Sequence, residues 1–258
     1  MAAGNPILQI DNITLAFGGV TALNGISFDV AEGEICAVIG PNGAGKSSML
    51  NVINGVYVPQ EGRVVFKGQD CTRMRPRQIA QLGMARTFQN IGLFQGMTVL
   101  ENILTGRCMK IRSTWLEQGL NIGRARREEV ENRRAVEEVI EFLHLQGIRK
   151  TPVGKLPYGL QKRVELARAL VAEPTMLLQD EPMTGMNLEE KKDMSCFALE
   201  INREYGTTIV LIEHDMSVVM DISDHVVVLD YGAKIGDGTP DEVKNNQDVI
   251  DAYLGVTH

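Results

Sequence analysis

Three short stretches hold residue types whose spacing could do chemistry on a phosphate. The first, Gly40-Pro41-Asn42-Gly43-Ala44-Gly45-Lys46-Ser47-Ser48, fits G-x-x-x-x-G-K-S/T at every fixed position. Its glycines, Gly40, Gly43 and Gly45, let the backbone turn back and aim successive N–H groups inward, where phosphate oxygens accept them. Lys46 then reaches the β and γ phosphates. Ser47 offers a hydroxyl as an oxygen ligand for Mg²⁺, and the helix starting there presents the positive end of its dipole. The second stretch, TMLLQDEP, ends a run of apolar residues in adjacent carboxylates, Asp180 and Glu181. Two such groups at the end of a buried strand are unfavourable unless metal or phosphate chemistry uses them. Asp180 would hold Mg²⁺ through water and Glu181 would polarise an attacking water. The third, TTIVLIEHD, repeats this design with His214 at its tip; a lone histidine in such a place also serves simply as a structural residue.

These residues need a rigid frame, and the flanking patterns supply one. EICAVIG reads as a buried parallel strand entering the loop from Gly40 to Ser48, and SSMLNVING as the helix leaving it. Upstream, ILQIDNITLAF alternates apolar and polar residues, breaks at Gly18-Gly19 and resumes in ISFDV, an antiparallel pair. Phe17 sits at that break, where it either stacks on an adenine ring or belongs to the core. GRVVFKGQD reads as a further edge strand. From Leu93 the pattern turns helical, with Thr98 and Glu101 forming a capping box for TVLENILTGRCMK. Arg124 to Arg134 mixes arginine and glutamate as a solvated helix face does, and Trp115 lies in a segment that either packs or docks a partner helix. KLPYGLQKRVELARALVAEP is an amphipathic helix from Gly159 to a Pro174 stop, and Leu188 to Tyr205 is a charged helix closed by Gly206. HVVVLDYGAKIGDGTP forms a hairpin, and PDEVKNNQDVIDAYLG ends the chain as short helices.

Composition narrows the class. The chain has 258 residues, 44% of them hydrophobic, enough for a large core. Its 26 Lys and Arg face 33 Asp and Glu, and a net charge of -7 gives no electrostatic reason to expect nucleic acid. No stretch offers the roughly 18 apolar residues of a membrane span, and the first residues lack a basic leader, so a chain soluble by itself is expected. Cys36, Cys71, Cys108 and Cys196 show no C-x-x-C pairing and read as buried reduced thiols.

In order along the chain stand GPNGAGKSS, TFQN, LPYGLQ, LLQDEP, TGMN and IEHD. Together they resemble the ATP-binding subunits of ATP-binding cassette (ABC) transporters, over nearly the whole chain. LPYG, IEHDM and the terminal NNQDVIDAYLG resemble in particular the subunits serving importers of branched-chain amino acids, short amides or urea. The resemblance implies an α/β fold, a RecA-like P-loop NTPase core with an antiparallel β subdomain and an α-helical subdomain. One cassette domain would span 1–258, with core at 1–88 and 163–237, helical subdomain at 89–162 and a helical extension at 238–258. It implies ATP and Mg²⁺ as cofactors. Phe17 would stack on adenine, and Gly40, Pro41, Asn42, Gly43, Ala44, Gly45, Lys46, Ser47 and Ser48 would hold the phosphates. Ser47, Gln89 and Asp180 would serve the metal, while Glu181, His214 and Gln89 would assist hydrolysis.

Tyr158 and Gly159 would complete the nucleotide site of a second ATP-binding subunit in trans. The implied partners are that subunit, membrane permease subunits and, indirectly, a solute-binding protein; the implied place is peripheral, on the cytoplasmic face of the cell membrane. The chain departs from the family pattern at Pro157 and Tyr158, where serine and glycine are usual, at Gln179, and at Asn187, where aspartate is frequent. A signature without its serine favours a heterodimer with a subunit that has it, although a homodimer with backbone-only contacts stays open. Two rivals are a cassette ATPase of DNA repair or translation and a regulator that does not hydrolyse. The first usually needs long coiled-coil arms or fused cassettes, and intact Glu181 and His214 oppose the second.

Overall fold

The alternating stretch after Pro6 forms β1 (Pro6–Phe17), which turns at Gly18-Gly19 into the antiparallel β2 (Val20–Ala31). β2 begins before the apolar pattern of ISFDV does, because Phe17 pairs with Val20 and closes the hairpin directly behind the glycines. β3 (Ile35–Ile39) runs fully buried into the phosphate-binding loop and α1 (Lys46–Ile53) leaves it. β4 (Glu61–Phe66) lies between β1 and the two-residue β5 (Gln69–Asp70), so it is not the edge its sequence suggests. The computed structural model describes residues 6–114, 117 and 123–254, which leaves Trp115 outside the described residues.

α2 (Pro76–Gln81) and β6 (Met84–Arg86) occupy a stretch too short for either period to register. α3 (Val99–Thr105) has the expected Thr98–Glu101 capping box but stops at Gly106; Cys108–Lys110 is a single 3₁₀ turn. α4 (Arg124–Phe142) carries the charge-laced sequence, with Arg133–Glu129 and Arg134–Glu138 as exposed i, i+4 pairs at 3.0 and 2.8 Å. α5 (Tyr158–Leu170) begins one residue before Gly159, with Pro157 at its N-cap. Then come β7 (Met176–Asp180), α6 (Leu188–Tyr205), β8 (Thr208–Ile212), α7 (Met216–Ile222), β9 (His225–Asp230), β10 (Ala233–Gly238), α8 (Pro240–Lys244) and α9 (Gln247–Leu254).

The strands form a four-stranded antiparallel sheet, β2-β1-β4-β5, and a six-stranded sheet, β10-β9-β3-β8-β7-β6, parallel except for β10. Side chains alternate across each central strand. Ile35, Ala37 and Ile39 of β3 join a core shared with α3 to α9, while Cys36 and Val38 join a second core with α1, α2 and the antiparallel sheet. The parallel sheet is therefore covered on both faces, which explains its continuous apolar runs. Cys36 and Cys71 are buried free thiols as expected, but Cys108 and Cys196 are exposed, because each stands on the solvent side of its turn or helix. Among the described residues no helix is long and apolar enough to cross a membrane.

Candidate active site at the carboxyl ends of the parallel strands

β8 pairs in parallel with both β3 and β7, so the ends of these strands deliver Gly40, Asp180-Glu181 and Glu213-His214 to one edge of the sheet. Open parallel sheets bind ligands at this edge. Two glycines of the loop are dictated by space as well as conformation. Gly40 (φ +146°) lies where a Cβ would collide with the carbonyl oxygen of Leu229, and at Gly45 (φ +102°) it would stand 2.6 Å from that of Ala22. The start of β2 and the end of β9 are thus packed against the loop, and in the β9–β10 turn Gly232 N–H donates to the Ala44 carbonyl at 3.1 Å. Lys46 is 8% exposed and its Nζ donates to the Gly40 and Pro41 carbonyls at 2.7 and 2.8 Å. Burial pulls its pKa below the usual lysine value, with Glu181 and Asp180 acting the other way. Ser47 is exposed at the start of α1.

Asp180 is buried at the end of β7. Its Oδ2 accepts from Arg86 at 2.9 Å, Arg86 in turn donates to Asn51 Oδ1 on α1 at 2.7 Å, and Asp180 Oδ1 has no protein partner. Glu181 takes a left-handed backbone conformation, φ +48°, held by its N–H bond to the Ile212 carbonyl at 3.0 Å. A side chain held in that region marks a site where the surroundings impose strain. The Gln89 amide donates to Glu181 Oε2 at 2.9 Å and Thr184 Oγ1 does so at 3.2 Å. His214 stays largely exposed, its Nδ1 3.9 Å from Glu213 Oε2. Glu213 is buried, accepts N–H bonds from Met183 at 2.9 Å and His214 at 3.2 Å, and burial raises its pKa.

Phe17 is 48% exposed and meets Tyr57 edge-on at 5.0 Å, which removes the core reading and leaves a ring face available. Tyr158 and Gly159 open α5, whose first turn packs on the chain that follows β7. The Tyr158 ring lies over Gly185, and a Cβ on Gly159 would collide with the Glu190 carboxylate. Asn187 caps α6, its Oδ1 accepting from the N–H groups of Glu189 and Glu190 at 3.0 Å each while Glu190 bonds back to Asn187 N. Asparagine caps as well as aspartate does, so its presence here has a structural reason. Asn187→Ala should lower unfolding free energy by about 1 kcal/mol in a denaturant titration.

Residues 23–184 match the family model described as ABC transporter, and residues 233–258 match that of the branched-chain amino acid ATP-binding cassette transporter. This chain belongs to the ABC transporter family. Over 97% of its length, and 98% of theirs, it is 38% identical to the high-affinity branched-chain amino acid transport ATP-binding protein BraF of Pseudomonas aeruginosa and 37% identical to LivG of Escherichia coli K12. A crystal structure of an ABC transporter cassette in its ADP conformation superimposes with a TM-score of 0.84 at 35% identity, covering 97% of this chain and 99% of that one. The chain is thus an ATP-binding, ATP-hydrolysing transporter subunit.

Within this cassette the structure brings together Gly40 to Ser48, Gln89, Asp180, Glu181 and His214, and keeps Tyr158 and Gly159 on the first turn of α5. Gln179 is buried in β7 opposite Leu211, on the Leu177 side of the strand, and nothing in the structure explains the amide there. Sequence reasoning missed Arg86 and Glu213. Arg86 stands three residues before Gln89 in a strand of three residues, and Glu213 hides at the end of an apolar run; only strand pairing shows that they face the site.

Proposed function

We propose that this cassette powers the import of branched-chain amino acids or related small amides or urea. The match of its last 26 residues to the branched-chain cassette model, beyond the full-length likeness to BraF and LivG, carries this reading. The chain is read as one cassette with core at 1–88 and 163–237, helical subdomain at 89–162 and helical extension at 238–258, docked peripherally on the cytoplasmic face of permease subunits. Gly40 to Ser48 bind the phosphates, Phe17 the adenine, and Glu181, Gln89 and His214 serve hydrolysis. Mg²⁺ fits the donors present: the Ser47 hydroxyl, the Gln89 amide and the orphaned buried Oδ1 of Asp180 are hard oxygen ligands. When bound it neutralises phosphate charge. Asp180 is kept in place for it by Arg86, and Lys46 exchanges its two loop carbonyls for phosphate oxygens.

Tyr158 and Gly159 at the start of α5 are read as completing the site of a second cassette, with Pro157 at the N-cap supplying no hydroxyl. That favours a heterodimer in which the partner carries the usual serine and the two sites are unequal. Affinity purification of this chain from its native membrane should bring down permease subunits and a second cassette chain, identified by sequencing. Changing Glu181→Gln here and the matching carboxylate in the partner, separately within the full transporter, should then lower ATP turnover and solute uptake by different factors. Equal losses, or a functional transporter containing only this cassette chain, would overturn the heterodimer.

A further inference from the structure

Lys162, Glu165 and Arg168 recur every third residue along one side of α5, and Lys162 and Glu165 expose only 3% and 1% of their side chains. Glu165 lies between the two cations, 3.9 Å from Lys162 and 3.8 Å from Arg168, and its Oε2 has no hydrogen-bond partner. Burial pushes the Glu165 carboxyl up and the Lys162 ammonium down, each partly offset by the other. Such a buried ion pair contributes little to stability compared with apolar side chains of the same size. What it does hold is a loop. From Thr87 to Leu93 the chain is neither helix nor strand, and side chains of α5 take up several of its main-chain groups. Lys162 Nζ donates to the carbonyls of Phe88 and Gln89 at 3.2 and 2.8 Å. Arg168 donates to the Gly92 carbonyl at 2.6 Å, and Gly92 N–H donates to Glu165 at 3.4 Å.

We propose that Lys162, Glu165 and Arg168 are positioning residues that clamp the Phe88–Gly92 loop to α5, so that the Gln89 amide is delivered to Glu181. The side chain of Gln89 reaches Glu181 while its carbonyl is held by Lys162, so a shift at either end is passed to the other through one residue. The inference rests on the assignment of Glu181 and Gln89 to hydrolysis made above.

The test is Lys162→Met combined with Glu165→Leu in the full-length chain, with Glu181→Gln alone and Lys162→Arg alone beside it. The double variant should fold with at most a small drop in Tm, because apolar side chains replace the buried pair, and bind nucleotide within about threefold of the parent, since neither residue touches the phosphate loop. Hydrogen exchange of the Asn90 to Gly92 amides should speed up by about tenfold as the loop loses its anchors. In the assembled transporter kcat of the double variant should fall by about 10- to 100-fold with KM for ATP unchanged, the effect of misplacing a positioned group by about an ångström, while Lys162→Arg, which keeps a cation beside the loop carbonyls, should retain most of it. Parental kcat in the double variant while Glu181→Gln is inactive would sink the clamp and leave the site reading intact. Parental turnover in Glu181→Gln would sink that reading, and the clamp with it. A double variant that fails to fold, or loses kcat only in proportion to its Tm, would show the cluster to be structural and also overturn the proposal.

Discussion

Glu181→Gln should keep nucleotide binding while lowering ATP turnover by roughly 10² to 10⁴-fold, the usual contribution of a positioned general base. The substitution preserves the shape of the side chain, so hydrogen bonds with Gln89 and Thr184 can be re-formed by the new amide. What disappears is the carboxylate's capacity to take a proton from water. The strained backbone at this position is imposed by the Ile212 bond and survives the change. With binding intact and hydrolysis slow, the nucleotide-bound dimer should accumulate and elute earlier from a sizing column in Mg·ATP when the physiological partner subunit is present. Steady-state phosphate release from the assembled transporter is the direct measurement. Unchanged release would remove Glu181 from the chemistry and leave His214, the exposed titratable side chain just beyond β8, as the candidate base.

Lys46→Ala should abolish the stabilisation that nucleotide confers. Saturating Mg·ATP at about 100 times its dissociation constant adds roughly 2.7 kcal/mol to a native protein, read as a rise in Tm. Lys46 is the ammonium folded against the loop carbonyls of Gly40 and Pro41, and no other lysine or arginine in the described residues donates to that loop. Its removal leaves the charge of the phosphates uncompensated on the protein side. The apolar residues that fix β3 and α1 are untouched, so the unliganded variant should fold, losing on the order of 1 kcal/mol for the two carbonyls left without their donor. A ligand-induced shift equal to that of the parent would sink the assignment of the loop.

Local chemistry determined much of this protein in advance. The loop from Gly40 to Ser48 is contiguous, its glycines are demanded by backbone geometry at single positions, and the strand before it and helix after it each follow one hydrophobic period. The Thr98 cap, the Gly206 stop and the β9–β10 hairpin are likewise set by residues within a few positions of one another. Tertiary structure decided what sequence neighbours do not constrain. α2 and β6 are too short to show a period, and β6 exists because β7 offers an edge to pair with. Exposure of Phe17 follows from where the β1–β2 hairpin lies over Tyr57. Arg86 reaches Asp180 across 94 positions, Gln89 reaches Glu181 across 92, and Lys162 reaches Gln89 across 73. Each of these is a polar contact between residues far apart in the sequence, and only the parallel order β3-β8-β7, with α5 laid over the loop, places them within hydrogen-bonding distance.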